Sequence, residues 1–201
     1  MAHALIAIDV QNDFCPGGAL AVEDGNAVVA PVNGLMEPAD CVVLTQDWHP
    51  SAHKSFADNH PGAAPFSTVE MPYGTQVLWP RHCVQGSVGA EFHQDLNLTR
   101  PDLILRKGSN PDIDSYSAFF ENDRNTRTGL AGYLEHRGIS ELVFAGLATD
   151  FCVAWSALDA ARLGFAASVV LPACRAIDLD GSLDAALSSL RDGGVTIRDT
   201  L

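Results

Sequence analysis

The chain has 201 residues, 47% of them apolar and 18% charged, which excludes a disordered chain and fits one domain with a core of its own, spanning residues 1–201. A net charge of −13 excludes nucleic acid and anionic membrane as expected partners. Five widely spaced cysteines with no CxxC pair exclude a disulfide scaffold; with no signal-like start and no apolar run near about 18 residues, a soluble cytoplasmic protein is expected.

Short apolar runs rich in β-branched residues alternate with segments of helical period. A strand is predicted over residues 4–10, then a helix over 25–36 and a strand over 41–46. From 48 to 100 there is little regular pattern, with prolines at 50, 61, 65, 72 and 80. An irregular stretch of that length inside a compact domain is usually functional. Beyond it a strand is predicted over 103–106, a helix over 127–136, a strand over 142–147 and a helix over 153–163. The last three elements are a strand over 167–171, a helix over 182–191 and a strand over 195–198. Gly138 and Gly164 fall where helices should end in a left-handed residue. Uninterrupted apolar strands are covered on both faces, as in a parallel sheet. The fold class is therefore α/β: a three-layer, doubly wound sheet of six mainly parallel strands.

In such sheets ligands bind beyond the carboxyl ends of the strands. The strand exits here carry Asp9, Asp47-Trp48-His49-Pro50, Lys107-Gly108 and, through a sharp turn, Gly146-Leu147-Ala148-Thr149-Asp150-Phe151-Cys152-Val153. A lone cysteine is more often a buried structural thiol. Cys152, however, stands where a helix should begin, and the helix dipole is expected to favour its thiolate and lower its pKa. With no histidine at a neighbouring exit, Asp9 can take the thiol proton and later return it to a departing amine. Lys107 would hold Asp9 and keep the site positive.

A second constellation is Asp47, His49 and His82, with His53 as a further ligand or an outer donor. One carboxylate and two imidazoles with open positions suit zinc first, with iron or manganese as alternatives. His60 and His93 read as surface. Phe14, Trp79, Tyr116 and Phe151 could wall a slot for a flat heteroaromatic substrate, and Leu147, at the strand end, joins that set. No phosphate loop or dinucleotide fingerprint is present, so nucleotide cofactors are not expected.

These pieces, with Gly17-Gly18-Ala19-Leu20-Ala21-Val22, Trp79-Pro80-Arg81-His82-Cys83-Val84 and Asp114-Ser115-Tyr116-Ser117-Ala118-Phe119-Phe120, stand in the order found in nicotinamidases and pyrazinamidases of the isochorismatase-like cysteine hydrolases. The chain resembles that family from Leu5 to about Asp178. The resemblance implies an amidase that turns nicotinamide into nicotinate and ammonia in NAD salvage and also accepts pyrazinamide. It implies a catalytic set of Asp9, Lys107 and nucleophilic Cys152, and one divalent metal on Asp47, His49 and His82. It also implies a cis peptide between Leu147 and Ala148 that shapes an oxyanion hole from the Ala148 and Cys152 N–H groups. Phe151 departs from the tyrosine or histidine frequent at that position. Two other readings are a related cysteine hydrolase acting on carbamoyl or ureido compounds, and a non-catalytic metal-binding protein on the same scaffold. The sequence leaves a homo-oligomer open.

Overall fold

The computed structural model describes residues 2–201. Six strands form one sheet: β1 (His3–Ile8), β2 (Cys41–Asp47), β5 (Leu103–Lys107), β6 (Glu141–Leu147), β7 (Ala166–Arg175) and β8 (Thr196–Arg198). Their order is β5-β2-β1-β6-β7-β8, and every neighbouring pair runs parallel. From β1 the chain winds first toward β5 and later toward β8, so the direction of winding reverses between β1 and β6. That reversal is where an open α/β sheet leaves its crevice. Asp9 follows β1 and Cys152 follows β6, one on each side of it.

Burial explains why these segments pair. All seven residues of β2 are buried, as are six of seven in β6 and five of six in β1. Flanking the sheet are α1 (Val29–Met36), α2 (Leu130–His136), α3 (Ala154–Arg162) and α4 (Ser182–Asp192). Among the described residues no helix is long and apolar enough to cross a membrane.

Several boundaries differ from the sequence reading. The first strand stops at Ile8 because Asp9 turns to φ 46°, outside the extended region. The first helix begins as a 3-10 turn over Gly25–Val28, and α2 starts only after Gly129, at φ 96°. A turn of π-helix, Thr149–Val153, intervenes between β6 and α3. β7 runs on to Arg175, four residues beyond the expected end. Gly138 and Gly164 are left-handed, as anticipated.

The long irregular segment contains an element that the pattern did not announce. β3 (Thr68–Met71) and β4 (Gly74–Val77) form an antiparallel hairpin apart from the main sheet. Its strands are four residues long and mostly exposed, so neither carries a hydrophobic run. The buried member of β4 is Gln76, 1% exposed, which matters to the site below.

One glycine is demanded by close packing of the two strands that flank the crevice. Gly146 has φ 119°, and a Cβ there would lie 2.1 Å from the Ile8 carbonyl oxygen. Gly164 also has positive φ (93°), but nothing lies within 4 Å of its would-be Cβ. Gly146→Ala is therefore expected to cost about 3 kcal/mol or more, against about 1 kcal/mol for Gly164→Ala. Urea unfolding followed by tryptophan fluorescence measures both. Equal losses would mean that the β1–β6 approach is not what requires glycine.

Candidate active site

Side chains at four adjacent strand exits, those of β5, β2, β1 and β6, converge on one ammonium group. Asp47 and Lys107 are register partners on β2 and β5, so the two side chains leave the sheet together. Lys107 is 2% exposed, and its long stem carries Nζ across the β2 exit toward β1. There Nζ lies 2.8 Å from Asp9 Oδ2, donates to Asp47 Oδ1 and to the Ser115 carbonyl (2.9 Å), and stands 3.5 Å from Cys152 Sγ. Asp9 is fully buried, and its other oxygen accepts from the Thr45 hydroxyl at 2.6 Å.

Burial and charge set the acidities. Burial pushes Asp9 up against the pull of Lys107, to about 6. Burial works against the charged form of Lys107, yet Asp47, Asp9 and Cys152 outweigh it and hold the ammonium well above the ordinary lysine range. Lys107, His49 and His82 together overcome burial and keep Asp47 well below the usual carboxylate range. Cys152 moves opposite to the expectation from its place before a helix. Burial raises its pKa well above the ordinary thiol value; Lys107 opposes, while Asp9, Asp47 and Asp114 add to the rise. A fully desolvated sulfur facing three carboxylates prefers its proton, and a helix terminus does not reverse that.

The turn that presents Cys152 is closed by its own backbone. The N–H groups of Phe151 (3.2 Å) and Val153 (3.1 Å) both donate to the Ala148 carbonyl, and Ser156 Oγ donates to the Cys152 carbonyl at 2.6 Å. The peptide between Leu147 and Ala148 is cis. Ala148 and Cys152 both face the cavity described below.

Beside Asp47 three imidazoles pack together, His49 in a T-shaped contact with His82 (5.1 Å between ring centroids) and tilted against His53 (4.3 Å). Their hydrogen bonds assign the tautomers. His49 Nδ1 donates to the Gly108 carbonyl (2.8 Å) and His82 Nδ1 to the Pro80 carbonyl (2.7 Å), because a carbonyl oxygen only accepts. Each turns its Nε2 toward Asp47 Oδ2, at 3.5 and 3.8 Å; burial works against the charged form of His49, but Asp47 and then Asp114 outweigh it and raise its pKa. Gly108 permits the first contact: at φ 66°, a Cβ there would fall 2.3 Å from His49 Cε1. His53 has the opposite tautomer. Its Nδ1 accepts from the Ser55 N–H at 3.2 Å, which leaves the hydrogen on Nε2. Burial, then His49, pulls His53 down to about 4, and burial does the same for His82.

Two Nε2 atoms converge on one buried carboxylate oxygen, a geometry that suits a cation held between them once both imidazoles are neutral. His49 Nε2 is buried without a hydrogen-bond partner, and ligand atoms of Asp47, His49 and His82 all lie within 4.8 Å of one another. A set of one carboxylate and two neutral imidazoles fits a divalent metal such as zinc.

Between the nucleophile turn and this cluster lies a small, partly open cavity. Trp79, Tyr116 and Phe151 form one wall by edge-to-face contacts, with Trp79 and Phe151 4.9 Å apart at 89°. Tyr116 is pinned through its hydroxyl, which accepts from Trp79 Nε1 (3.1 Å) and Gln76 Nε2 (2.9 Å). Gln76 Nε2 also donates to Asp114 Oδ2 at 2.8 Å, so the exposed hairpin fixes two cavity-lining side chains.

Phe14 lines the cavity as expected from the sequence; Leu147 does not. It is fully buried, with Cδ1 directed toward Gly25, because alternate residues leave a strand on opposite faces. Leu20, Asp114 and Ile177 line the cavity instead. Leu20 and Asp114 lay inside motifs already noted, whereas nothing local marked Ile177. His60 and His93 are half-buried outside the cluster, His60 bonded to the Lys54 carbonyl and His93 to the Asp95 N–H.

Comparison with known proteins agrees with this geometry. The isochorismatase domain model matches residues 3–200. A nicotinamidase of Acinetobacter baylyi is 54% identical over 192 residues, covering 96% of this chain and 90% of its own length. The solved Acinetobacter baumanii nicotinamidase and pyrazinamidase superposes with a TM-score of 0.96 at 54% identity, covering 98% of this chain and 95% of that one. A pyrazinamidase of Pyrococcus horikoshii, solved in complex with zinc, superposes with a TM-score of 0.78 at 34% identity, covering 98% of each chain. Six parallel strands, a cysteine turn at the point of reversal and near-complete coverage by the domain model place this chain in the isochorismatase family.

Proposed function

We propose that this chain is a nicotinamide amidohydrolase that releases nicotinate and ammonia through a thioester on Cys152, with pyrazinamide as a second substrate. The observation that carries the reading is Lys107 Nζ facing Asp9, Asp47 and Cys152, the last two of which line a cavity walled by aromatic rings. The names of the Acinetobacter relatives support the same substrate class. A cytoplasmic location belongs to the same proposal, supported by five free, buried cysteines that suit a reducing compartment.

In the first half-reaction Asp9 accepts the Cys152 proton as sulfur attacks the carboxamide carbon. The carbonyl π pair moves to oxygen, and that oxyanion is received by the Ala148 and Cys152 N–H groups. When the pair returns, the C–N bond breaks and nitrogen leaves as ammonia with the proton held by Asp9. In the second half Asp9 takes a proton from water as it attacks the thioester. The C–S bond breaks, and the proton returns to sulfur. Lys107 stays charged throughout and orients Asp9 while stabilising developing negative charge on Sγ. A carboxylate near 6 suits this shuttle, since it is largely ionised at neutral pH yet basic enough to exchange protons in both directions.

Asp47, His49 and His82 would hold one divalent cation, with zinc favoured by the donor set and by the zinc complex of the Pyrococcus relative. When bound it supplies a Lewis-acid contact for the heteroaromatic ring nitrogen. His53, whose Nδ1 accepts from Ser55, leaves a buried Nε2 without a partner, and the reading makes it an outer donor toward this centre and not a ligand.

Cys152→Ala is expected to lower ammonia release from nicotinamide at least about 10³-fold while retaining nicotinate binding by calorimetry. Turnover above a few per cent of the parent would remove Cys152 from the nucleophile role. Asp9→Asn should fail to build the acyl-enzyme, read as the absence of the nicotinoyl adduct by intact-protein mass spectrometry in a single turnover. Rapid adduct formation would mean that another group takes the thiol proton. Elemental analysis separates the imidazoles: His49→Ala should lose its bound metal on dialysis, whereas His53→Ala should keep one equivalent. Loss from both would make His53 a ligand and overturn the tautomer assignment.

A further inference from the structure

The cavity has one rigid wall and one wall held from a distance. Besides Trp79, Tyr116 and Phe151, the cavity is lined by Leu20 and Ile177, on two separate segments of the chain. Ile177 lies between β7 and α4, in a stretch where Asp178 (φ 52°) and Asp180 (φ 50°) both adopt the left-handed conformation without being glycine. Such residues cost free energy, and they persist only where surrounding contacts impose them. The imposing contacts converge on Asp150, two residues before the nucleophile. Its buried carboxylate accepts from the Ile177 N–H (3.1 Å), the Asp178 N–H (2.8 Å) and the Ser182 hydroxyl (2.5 Å) at the start of α4. Nearby, Arg175 pairs with Asp24 at 3.0 Å and ties the end of β7 to the segment after Leu20.

We propose that the Asp150 carboxylate is a latch for residues 176–182, and that Ile177, seated by that latch, is the specificity-determining residue that limits the size of the aromatic amide accepted. The inference rests on the hydrolase reading above. Ile177 meets the ring while Asp150 meets only the turn, so Asp150 is a positioning residue. Its carboxylate joins the nucleophile turn directly to the wall over the substrate. A wall formed by one branched aliphatic side chain discriminates at the level of a methyl group, where contact differences are worth about tenfold or more in kcat/KM.

The experiment is a ratio of kcat/KM for ring-methylated nicotinamides against nicotinamide itself, which cancels the amount of active protein. Ile177→Ala is expected to raise the ratio about tenfold for the best methylated isomer. Asp150→Asn places an amide among three donors and should raise the ratio in the same direction. The double variant should exceed Ile177→Ala alone by less than about twofold, since both changes remove the same wall. Amide hydrogen exchange at Ile177 and Asp178 should quicken at least about tenfold in Asp150→Asn. If that variant folds poorly, Ser182→Ala removes one donor without touching the nucleophile turn and should give a smaller shift of the same sign. A ratio unchanged in Ile177→Ala overturns the size limit. A ratio raised in Ile177→Ala but unchanged in both latch variants, with unaltered exchange, overturns the latch. A parent enzyme that releases no ammonia from nicotinamide would instead overturn the hydrolase reading.

Discussion

The organisation of this site depends on one buried ammonium. Taking a lysine head group out of water costs several kcal/mol, which only well-placed opposite charges offset. Lys107 has two carboxylates, and they arrive from different strands. That requirement fixes β5, β2 and β1 in one register at their carboxyl ends, because a slip of one residue would turn Asp47 or Lys107 to the other face of the sheet. The sulfur is then added from the fourth exit, across the reversal of winding. Charge satisfaction and sheet topology are here a single constraint.

Asp47 stands at the junction of two arrangements. One oxygen belongs to the ammonium and the other faces His49 and His82. The imidazoles are turned toward it by backbone carbonyls of Gly108 and Pro80, which are parts of loops and not of the sheet. The strand exit thus sets the charge, and the loops set the orientation of the rings. This division accounts for the length of irregular chain between β2 and β5: it must bring His82 back to a carboxylate that left the sheet 35 positions earlier, from Asp47 to His82.

Much of this was legible before any coordinates, for definite reasons. Strands buried on both faces write themselves as unbroken apolar runs, so β1, β2 and β6 stood out, and their exits delivered Asp9, Asp47 and Cys152. The hairpin was not legible because β3 and β4 are short and exposed. Leu147 was misplaced because being next to a site in sequence does not say which face of the strand a side chain takes. The acidity of Cys152 was misjudged because a local argument from a helix end omits the burial of the sulfur, and after it three carboxylates contributed by other strands and loops. Ile177 was invisible because what marks its position is a hydrogen bond from its own N–H to Asp150, 27 residues away.

The hairpin has a consequence for how this protein tolerates sequence drift. Thr75 points to solvent, yet Gln76 beside it reaches inward to Tyr116 and Asp114. Tolerance along β4 should therefore be uneven, with exposed Thr75 permissive, Gln76 bearing on the cavity and Val77 packed against the core. A surface ribbon of that kind lets variation accumulate around the active centre while a single inward glutamine transmits any change in the ribbon's pairing to the pocket wall.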